Sequence, residues 1–302
     1  MSLTPKKTAF TIVELLTVMS IIIILTSLLL PAVNRARRHA RDVAQKNHFR
    51  NIDQGLEMYR NDFDDYPDSS YQDVCGEPYC GAMKLCEVMA GQDGLGFHSD
   101  SKLCFNGGPY STNSLYPPPP VGGMTPAYEN NLRSRKEYLE PKDIQICSLE
   151  NLYAGGTGSF DPKCMILGDV FRLARNIDTE ERVGMPILYY RADVTKILHD
   201  PNSPPFNPDE NTNIYNYTDN QELLELGLPR EPGVVHPLYQ VSGDPQGRQF
   251  YNLTWDKNLT WDRGAPTDSF MRPYKKDSYI LISAGWDTLY GTRDDIFNFA
   301  QR

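Results

Sequence analysis

"KKTAFTIVELLTVMSIIIILTSLLLPAV", residues 6–33, decides the fold. From Phe10 to Val33 the only ionisable side chain is Glu14, and the core of the run, "VMSIIIILTSLLL" (18–30), carries no charge. At 1.5 Å per residue the stretch from 10 to 33 reaches about 36 Å as a helix, enough to cross a hydrocarbon core of about 30 Å. An acid at the centre of such a helix costs roughly 2.5–3.5 kcal/mol, and less toward the interface. Glu14 therefore needs either a partner or a path to the headgroups. A secretory signal peptide is the other account of the run, with Lys6 and Lys7 as its basic start. Its apolar segment would be shorter and uncharged, however, and "LLLPAVNRA" makes a poor cleavage site.

The helical pattern continues beyond the apolar run. Small and apolar residues recur at Ala36, Ala40, Val43, Ala44, Ile52, Leu56 and Tyr59, with charged and amide side chains on the other face. "DDYPDSS" (64–70) ends it. One helix is expected from residue 10 to about 62, kinked or locally melted at Pro31. Its second half reads as a stripe, from Val33 to Tyr59, that packs along something.

The remainder reads as a loop-rich, aromatic-studded ectodomain. The chain has 302 residues, 40% of them hydrophobic, with 22 Gly, 23 Pro and 18 Tyr. A formal charge of −9, without a Lys/Arg-rich tract beyond residue 50, argues against nucleic acid as a partner. Residues 67–130 are dense in Cys, Gly and Pro and end near "YPPPPVGG" (116–123), a linker or loop. Strands are expected at "KDIQICS" (142–148), "MPILYYRAD" (185–193), "HPLYQVS" (236–242) and "DSYILISAG" (277–285). Residues 200–222 read as a long loop, and the tandem hexamer "NLTWDKNLTWDR" (252–263) as a Trp-bearing hairpin.

Six cysteines, at 75, 80, 86, 104, 147 and 164, form an even set that suits disulfides in an oxidising compartment. Which of them pair is open. No two have the C-x-x-C spacing of a zinc site. His39, His48, His98, His199 and His236 form no metal-spaced cluster, and no nucleophile-elbow, zincin or phosphate-loop motif appears, so an enzyme is not expected. Lys6 and Lys7 precede the apolar run, whereas Arg35, Arg37, Arg38 and Arg41 follow it. By the positive-inside rule that would put the head in the cytoplasm; the cysteines point to the other side.

The N-terminus resembles the class III leader of type IV pilins and type II secretion pseudopilins. "MSLTPKKTA" (1–9) is the short basic leader, and "FTIVELL" (10–16) carries the Phe-Thr-x-x-Glu-Leu pattern that opens the apolar helix. The resemblance implies cleavage after Ala9, where the family nearly always has Gly, and N-methylation of Phe10 by a prepilin peptidase. It implies that Glu14 meets the free α-amino group of a neighbouring subunit, a pairing that offsets the cost of an acid in low dielectric. Pro31 falls where members often carry a proline that lets the helix loosen during assembly. "NIDQGLEMYRNDFDDYP" (51–67) is similar to the end of the pseudopilin helix.

"ISAGWDTLYGTRDDIFNF" (282–299) resembles the C-terminal calcium loop of G-type, major pseudopilins. Asp287, Asp294 and Asp295 supply three carboxylates around the turn formers Gly285 and Gly291, and calcium takes six to eight oxygens. Without the resemblance a solvated acidic turn is the better account of them. With it, calcium is the expected cofactor, and by spacing the carbonyl ligands fall on Ala284, Leu289 and Thr292.

The resemblance implies an α+β, pilin-like fold: a long, partly transmembrane helix on an antiparallel sheet head with large loop-rich insertions or a second lobe. Its parts are a leader (1–9), a membrane and assembly helix (10–33), an amphipathic continuation (34–65), an enlarged periplasmic head (66–276), and a terminal strand with the calcium loop (277–302). The implied function is that of a structural subunit of a type II secretion filament. Its partners would be other copies, minor pseudopilins, the peptidase/N-methyltransferase, the secretion ATPase and platform proteins. It would be a single-pass inner-membrane protein with its head in the periplasm or outside the cell. The alternative is a surface pilin or minor pilin whose tyrosines and Trp255, Trp261 and Trp286 serve adhesion.

Overall fold

The computed structural model describes residues 12–105, 115–140, 145–153, 155–176, 179–201, 211–240, 246–256 and 272–300. Helix α1 is Ile12–Phe63 and runs without a break in helical assignment through Pro31, so the expected local melting is absent. Its N-terminal stretch belongs to a unit ending at Val43. There Ile12 to Leu30 stand exposed, and the segment is long and apolar enough to cross a membrane. The hydroxyls in this stretch bond carbonyls one turn back: Thr17 to Glu14 at 3.0 Å, Ser20 to Thr17 at 2.8 Å, Thr26 to Ile22 at 2.7 Å and Ser27 to Ile24 at 2.8 Å. Such back-bonding is how a Ser or Thr is carried in an apolar environment.

From Ala44 onward the chain forms the second unit. Here α1 buries Gln45, His48, Phe49, Ile52, Gly55, Leu56 and Tyr59, one face at helical spacing. The buried stripe thus begins at Gln45; Ala36, Ala40 and Val43 are exposed. A turn through Asp64 and the bond from Tyr66 N–H to Asp65 Oδ1 (2.7 Å) close the helix where "DDYP" predicts.

The remaining helices are α2 (Gly81–Ala90), α3 (Pro126–Arg133), α4 (Leu149–Leu152), α5 (Gln221–Glu225) and α6 (Arg248–Thr254). The strands are β1 (Phe97–His98), β2 (Arg135–Lys136), β3 (Ile146–Ser148), β4 (Met165–Leu167), β5 (Ala174–Arg175), β6 (Arg182–Val183), β7 (Leu188–Arg191), β8 (Tyr279–Ser283) and β9 (Ile296–Phe297). The six from β1 to β6 pair as three short antiparallel ladders. The principal sheet is β7-β8-β9, antiparallel throughout, with Tyr189 opposite Leu281 and Ser283 opposite Ile296.

Every residue of β8 is buried, because both faces of the sheet are covered. Tyr189, Tyr279, Leu281 and Ile296 face the core that contains Phe49, Ile52, Leu56 and Tyr59 of α1. Leu188, Tyr190, Ile280, Ile282 and Phe297 face a second core built with Leu223, Leu224, Phe250 and Tyr251. This is the period-two alternation of a strand. Among the described residues, the segments between β7 and β8 therefore contribute to a layer on the sheet's far face and belong to the same unit as the sheet. Asp53 joins helix to sheet: its Oδ1 accepts from Tyr279 Oη at 2.7 Å and from Asn298 Nδ2 at 3.0 Å.

Several expectations are corrected. "HPLYQVS" holds no strand as far as Gln240; His236 to Gln240 form a turn closed by bonds from the Tyr239 and Gln240 N–H groups to the His236 carbonyl. The loop expected through 222 gives way at Tyr217 to a 3-10 turn and then α5. The first hexamer copy is no hairpin arm: Asn252–Thr254 close α6, and Trp255 then bridges Pro273. The second copy lies outside the described residues. "YPPPPVGG", expected as a linker or loop, is a loop whose Tyr116 is buried and donates to Glu87 at 3.0 Å. Of the six cysteines only Cys75 and Cys104 form a disulfide; Cys80, Cys86, Cys147 and Cys164 are buried thiols, drawn into the core as small apolar groups.

Leu56 tests the helix–sheet core, since it has 0% exposure there. Leu56→Ala is expected to cost about 2–5 kcal/mol in urea denaturation of the detergent-solubilised chain. A loss below about 1 kcal/mol would mean that this face is not the packed core.

Candidate functional site

The candidate loop runs from the end of β8 to the start of β9, so its two ends are held one pair apart in the principal sheet. Ser283 Oγ donates to the buried Asp169 at 2.9 Å and accepts from Gly285 N–H at 3.4 Å, which fixes the loop's entry. Gly285 and Gly291 turn the chain at φ of 66° and 96°. These are left-handed conformations suited to glycine.

Inside the loop the carboxylates take different roles. Asp294 Oδ2 accepts from the backbone N–H of Trp286 at 2.7 Å and of Asp287 at 3.0 Å, while its Oδ1 accepts from Thr292 Oγ1 at 2.6 Å. Asp287 Oδ1 accepts from Leu289 N–H at 2.8 Å. Burial and the Asp294 charge push Asp287 above the ordinary carboxylate range. Against its own burial, the donors around Asp294 hold it below that range. Two neighbouring carboxylates with opposed shifts disfavour being ionised together, and a cation placed between them would relieve that cost.

Asp295 is the third. Its Oδ2 accepts from Gly291 N–H at 2.7 Å, and its Oδ1 is buried with no hydrogen-bond partner. Burial, opposed by the Gly291 and Thr292 N–H groups, pushes its carboxyl up to about 8. A buried carboxylate oxygen left without a donor is the kind of group a hard cation satisfies. Of the expected carbonyl ligands, Leu289 O accepts a long bond from Thr292 Oγ1 at 3.5 Å. That hydroxyl therefore lies beside both Asp294 and Leu289. The resemblance points to the Thr292 backbone; the structure also brings its side chain to Asp294. Ala284 is fully buried at the loop's entry.

The donor set fits a hard cation: two facing carboxylates, a hydroxyl, a carbonyl and an orphaned carboxylate oxygen. The three aspartates do not yet gather on one point. Among the described residues, the acidic or thiol trio that brings ligand atoms within 4.8 Å of one another is Asp73, Cys75 and Cys104. There the two sulfurs form the disulfide. Asp73 is saturated by the N–H groups of Cys75 and Glu77 on Oδ1 and of Phe105 on Oδ2. That trio is a structural turn.

The other expected residues lie apart from this loop. Glu14 is exposed in the first turn of α1 and Pro31 is in its interior, both in the N-terminal unit. Ala9 and Phe10 lie outside the described residues. His236 was invisible to motif reasoning, yet it contacts the loop directly: its Nδ1 accepts from Tyr290 N–H at 3.2 Å. Trp286 packs edge-on against Phe171 at 5.2 Å.

The raised Asp295 carboxyl fixes a sign. An acid whose folded value (about 8) exceeds its ordinary value of 3.8 favours the folded state fully below the ordinary value, and this contribution is lost as pH rises through the folded one. With calcium chelated, stability is expected to fall by about 1 kcal/mol per pH unit across that window through this group alone. Asp295→Asn should flatten that share of the slope in denaturation curves taken from pH 4 to 8. An unchanged slope would mean that Asp295 is not a buried acid.

No protein-family model, no curated protein and no solved structure matches this chain.

Proposed function

We propose that the chain is a pseudopilin-like structural subunit of a filament assembled at the inner membrane by a type II secretion-type system. The observation that carries this reading is helix α1. One unbroken helix, Ile12–Phe63, begins with an exposed apolar run bearing a single acid, Glu14, and ends by covering an antiparallel sheet. A subunit so built anchors itself by the first part and presents a folded head by the second. In the filament Glu14 pairs with the α-amino group of a neighbouring Phe10, generated by the prepilin peptidase/N-methyltransferase. Minor pseudopilins, the secretion ATPase and the platform proteins are the other partners, and the head lies in the periplasm.

In this reading the β8–β9 loop holds calcium. Asp287 and Asp294 are its facing ligands, Asp295 Oδ1 is the third carboxylate oxygen, and the Thr292 hydroxyl and Leu289 carbonyl complete the protein's share. The ion would neutralise the shared acid pair and stabilise the folded head by mass action. A second reading, a surface pilin or minor pilin with a binding head, draws on a polar cleft of about 440 Å³ lined by Asp68, Ser70, Arg191, Asp193, Thr195 and Lys196. The large tyrosines give it no support: Tyr189, Tyr190, Tyr215, Tyr251, Tyr279 and Tyr290 are all core residues. Long surface fibres in place of short periplasmic ones would favour this second reading.

The intact mass and N-terminal sequence of the protein from its native membrane test the assignment first. A chain starting at N-methylated Phe10 is expected, and one starting at Met1 would reject it. Glu14→Ala should insert and be processed yet assemble no filaments; normal filaments would remove the role of the carboxylate. Asp287→Ala should abolish the rise in melting temperature on adding calcium to chelated protein. An unchanged rise would exclude Asp287 as a ligand.

A further inference from the structure

The turn carrying His236 touches the candidate loop from outside it, across 54 residues of sequence. His236 Nδ1 accepts from Tyr290 N–H at 3.2 Å, and its Nε2 lies 3.2 Å from the Gly227 carbonyl. A carbonyl can only accept and an amide N–H can only donate, so these neighbours fix the ring as the neutral Nε2–H tautomer. Burial also disfavours its charged form, lowering it to about 4. Leu238 N–H donates to the Tyr290 carbonyl at 2.8 Å, so both sides of residue 290 are bonded to the turn. The two rings meet edge-on at 5.0 Å. Tyr290 Oη in turn donates to the Pro186 carbonyl just before β7. The fit has no slack at the next residue, where a Cβ on Gly291 would stand 2.1 Å from Leu238 N.

The amide of Gly291 matters because it holds Asp295 Oδ2 at 2.7 Å. Gln249 Nε2 approaches the Gly291 carbonyl at 3.4 Å from α6. A chain of contacts thus leads from His236 to the backbone of 290–291 and on to the carboxylate whose second oxygen is orphaned. We propose that His236 is a positioning residue of the cation loop. In this role the inserted layer, through the His236–Leu238 turn, sets the Tyr290–Gly291 backbone so that Asp295 is presented to a divalent cation. This inference rests on the calcium reading of the loop and adds to it a dependence on residues far outside the Asp-rich segment.

The test is calcium titration of the full chain in detergent micelles, with amide hydrogen exchange at Tyr290 and Gly291 in chelator as a metal-free readout. His236→Leu keeps bulk but removes the acceptor; it should weaken calcium about tenfold, the worth of one positioning bond, and speed exchange at Tyr290 and Gly291. His236→Asn returns an acceptor to the Nδ1 position and should recover most of the affinity, although it loses the ring packing and melts earlier. Equal calcium affinity in wild type and His236→Leu, with unchanged amide protection, would overturn the positioning role and leave the calcium loop standing. Absence of calcium binding in the wild type would overturn the calcium reading and this inference with it. Should His236→Leu fail to fold, His236→Gln, which keeps a polar group toward Gly227, carries the same comparison.

Discussion

The structure depends on one constraint: strand β8 is buried on both faces, paired with β7 on one edge and, at Ile282 and Ser283, with β9 on the other. Beyond β9, Asn298 continues this edge at Leu281, its Oδ1 accepting from the Leu281 N–H at 3.0 Å and its own N–H donating to the Leu281 carbonyl. The strand's alternating side chains then require two separate covers. The C-terminal half of α1 contributes to one; the chain between β7 and β8, together with residues before β7 such as Tyr79, Met83, Leu149 and Leu152, builds the other. A helix on one face alone would leave Ile280, Ile282 and Leu188 in water, a loss of roughly 1.5–3 kcal/mol for each large apolar side chain. The insertions are thus part of the core. The same constraint sets the candidate loop, which is the short connection from β8 to β9 and inherits their rigidity at both ends.

The layers are registered by buried polar groups as well as by apolar contact. α2 is enclosed along its whole length, yet it carries Lys84 and Glu87. Lys84 Nζ lies 2.7 Å from Asp68 Oδ2 and 2.8 Å from the Ser70 carbonyl, which ties α2 to the segment leaving α1. Glu87 accepts from Tyr79, Gln92, Ser101 and Tyr116 and gathers four pieces of chain around one carboxyl. Arg135 and Asp93 form a further ion pair at 2.6 Å, both side chains almost wholly buried. Each of these groups would be costly if left without partners, so they penalise any slip of the layers more than a purely apolar core would. Asp219, with Ser69 Oγ at 2.5 Å, plays the same part beneath α5.

What the sequence reveals follows from how local each determinant is. The apolar run and the stop at "DDYP" need only neighbours within a few turns, so the end of α1 reads correctly to within a residue or two; the stripe expected from Val33 to Tyr59 is buried only from Gln45 onward, because its start has no head to pack on within its own unit. β7 and β8 are legible as apolar runs between turn formers. α2 is missed because a helix buried all round has no polar face, and "GAMKLCEVMA" then looks like any apolar stretch among cysteines and glycines. "HPLYQVS" misleads for the opposite reason: it alternates like a strand, but its backbone spends its bonds on a turn and on Tyr290. In the site, spacing brings out Asp287, Asp294 and Asp295. It cannot bring out the Thr292 hydroxyl or His236, whose roles arise from backbone geometry and from a contact between distant segments.

The loop's electrostatics tie proton and cation together. Burial and the nearby Asp294 charge push Asp287 above the ordinary carboxylate range, while the donors around Asp294, against its own burial, hold it below. Asp295, buried nearby with one oxygen unsatisfied, also favours its protonated form. A divalent ion placed among them replaces protons with fixed charge, so its binding must release protons, and acid must compete with it. The loop is held by its surroundings: Ser283 and Asp169 at the entry, the His236–Leu238 turn at the middle, and the β8–β9 pair at the root. Ser283 belongs both to the Asp169 contact and to the strand pair, so the loop has two separate supports: its root in the sheet and the inserted turn that bonds both sides of residue 290.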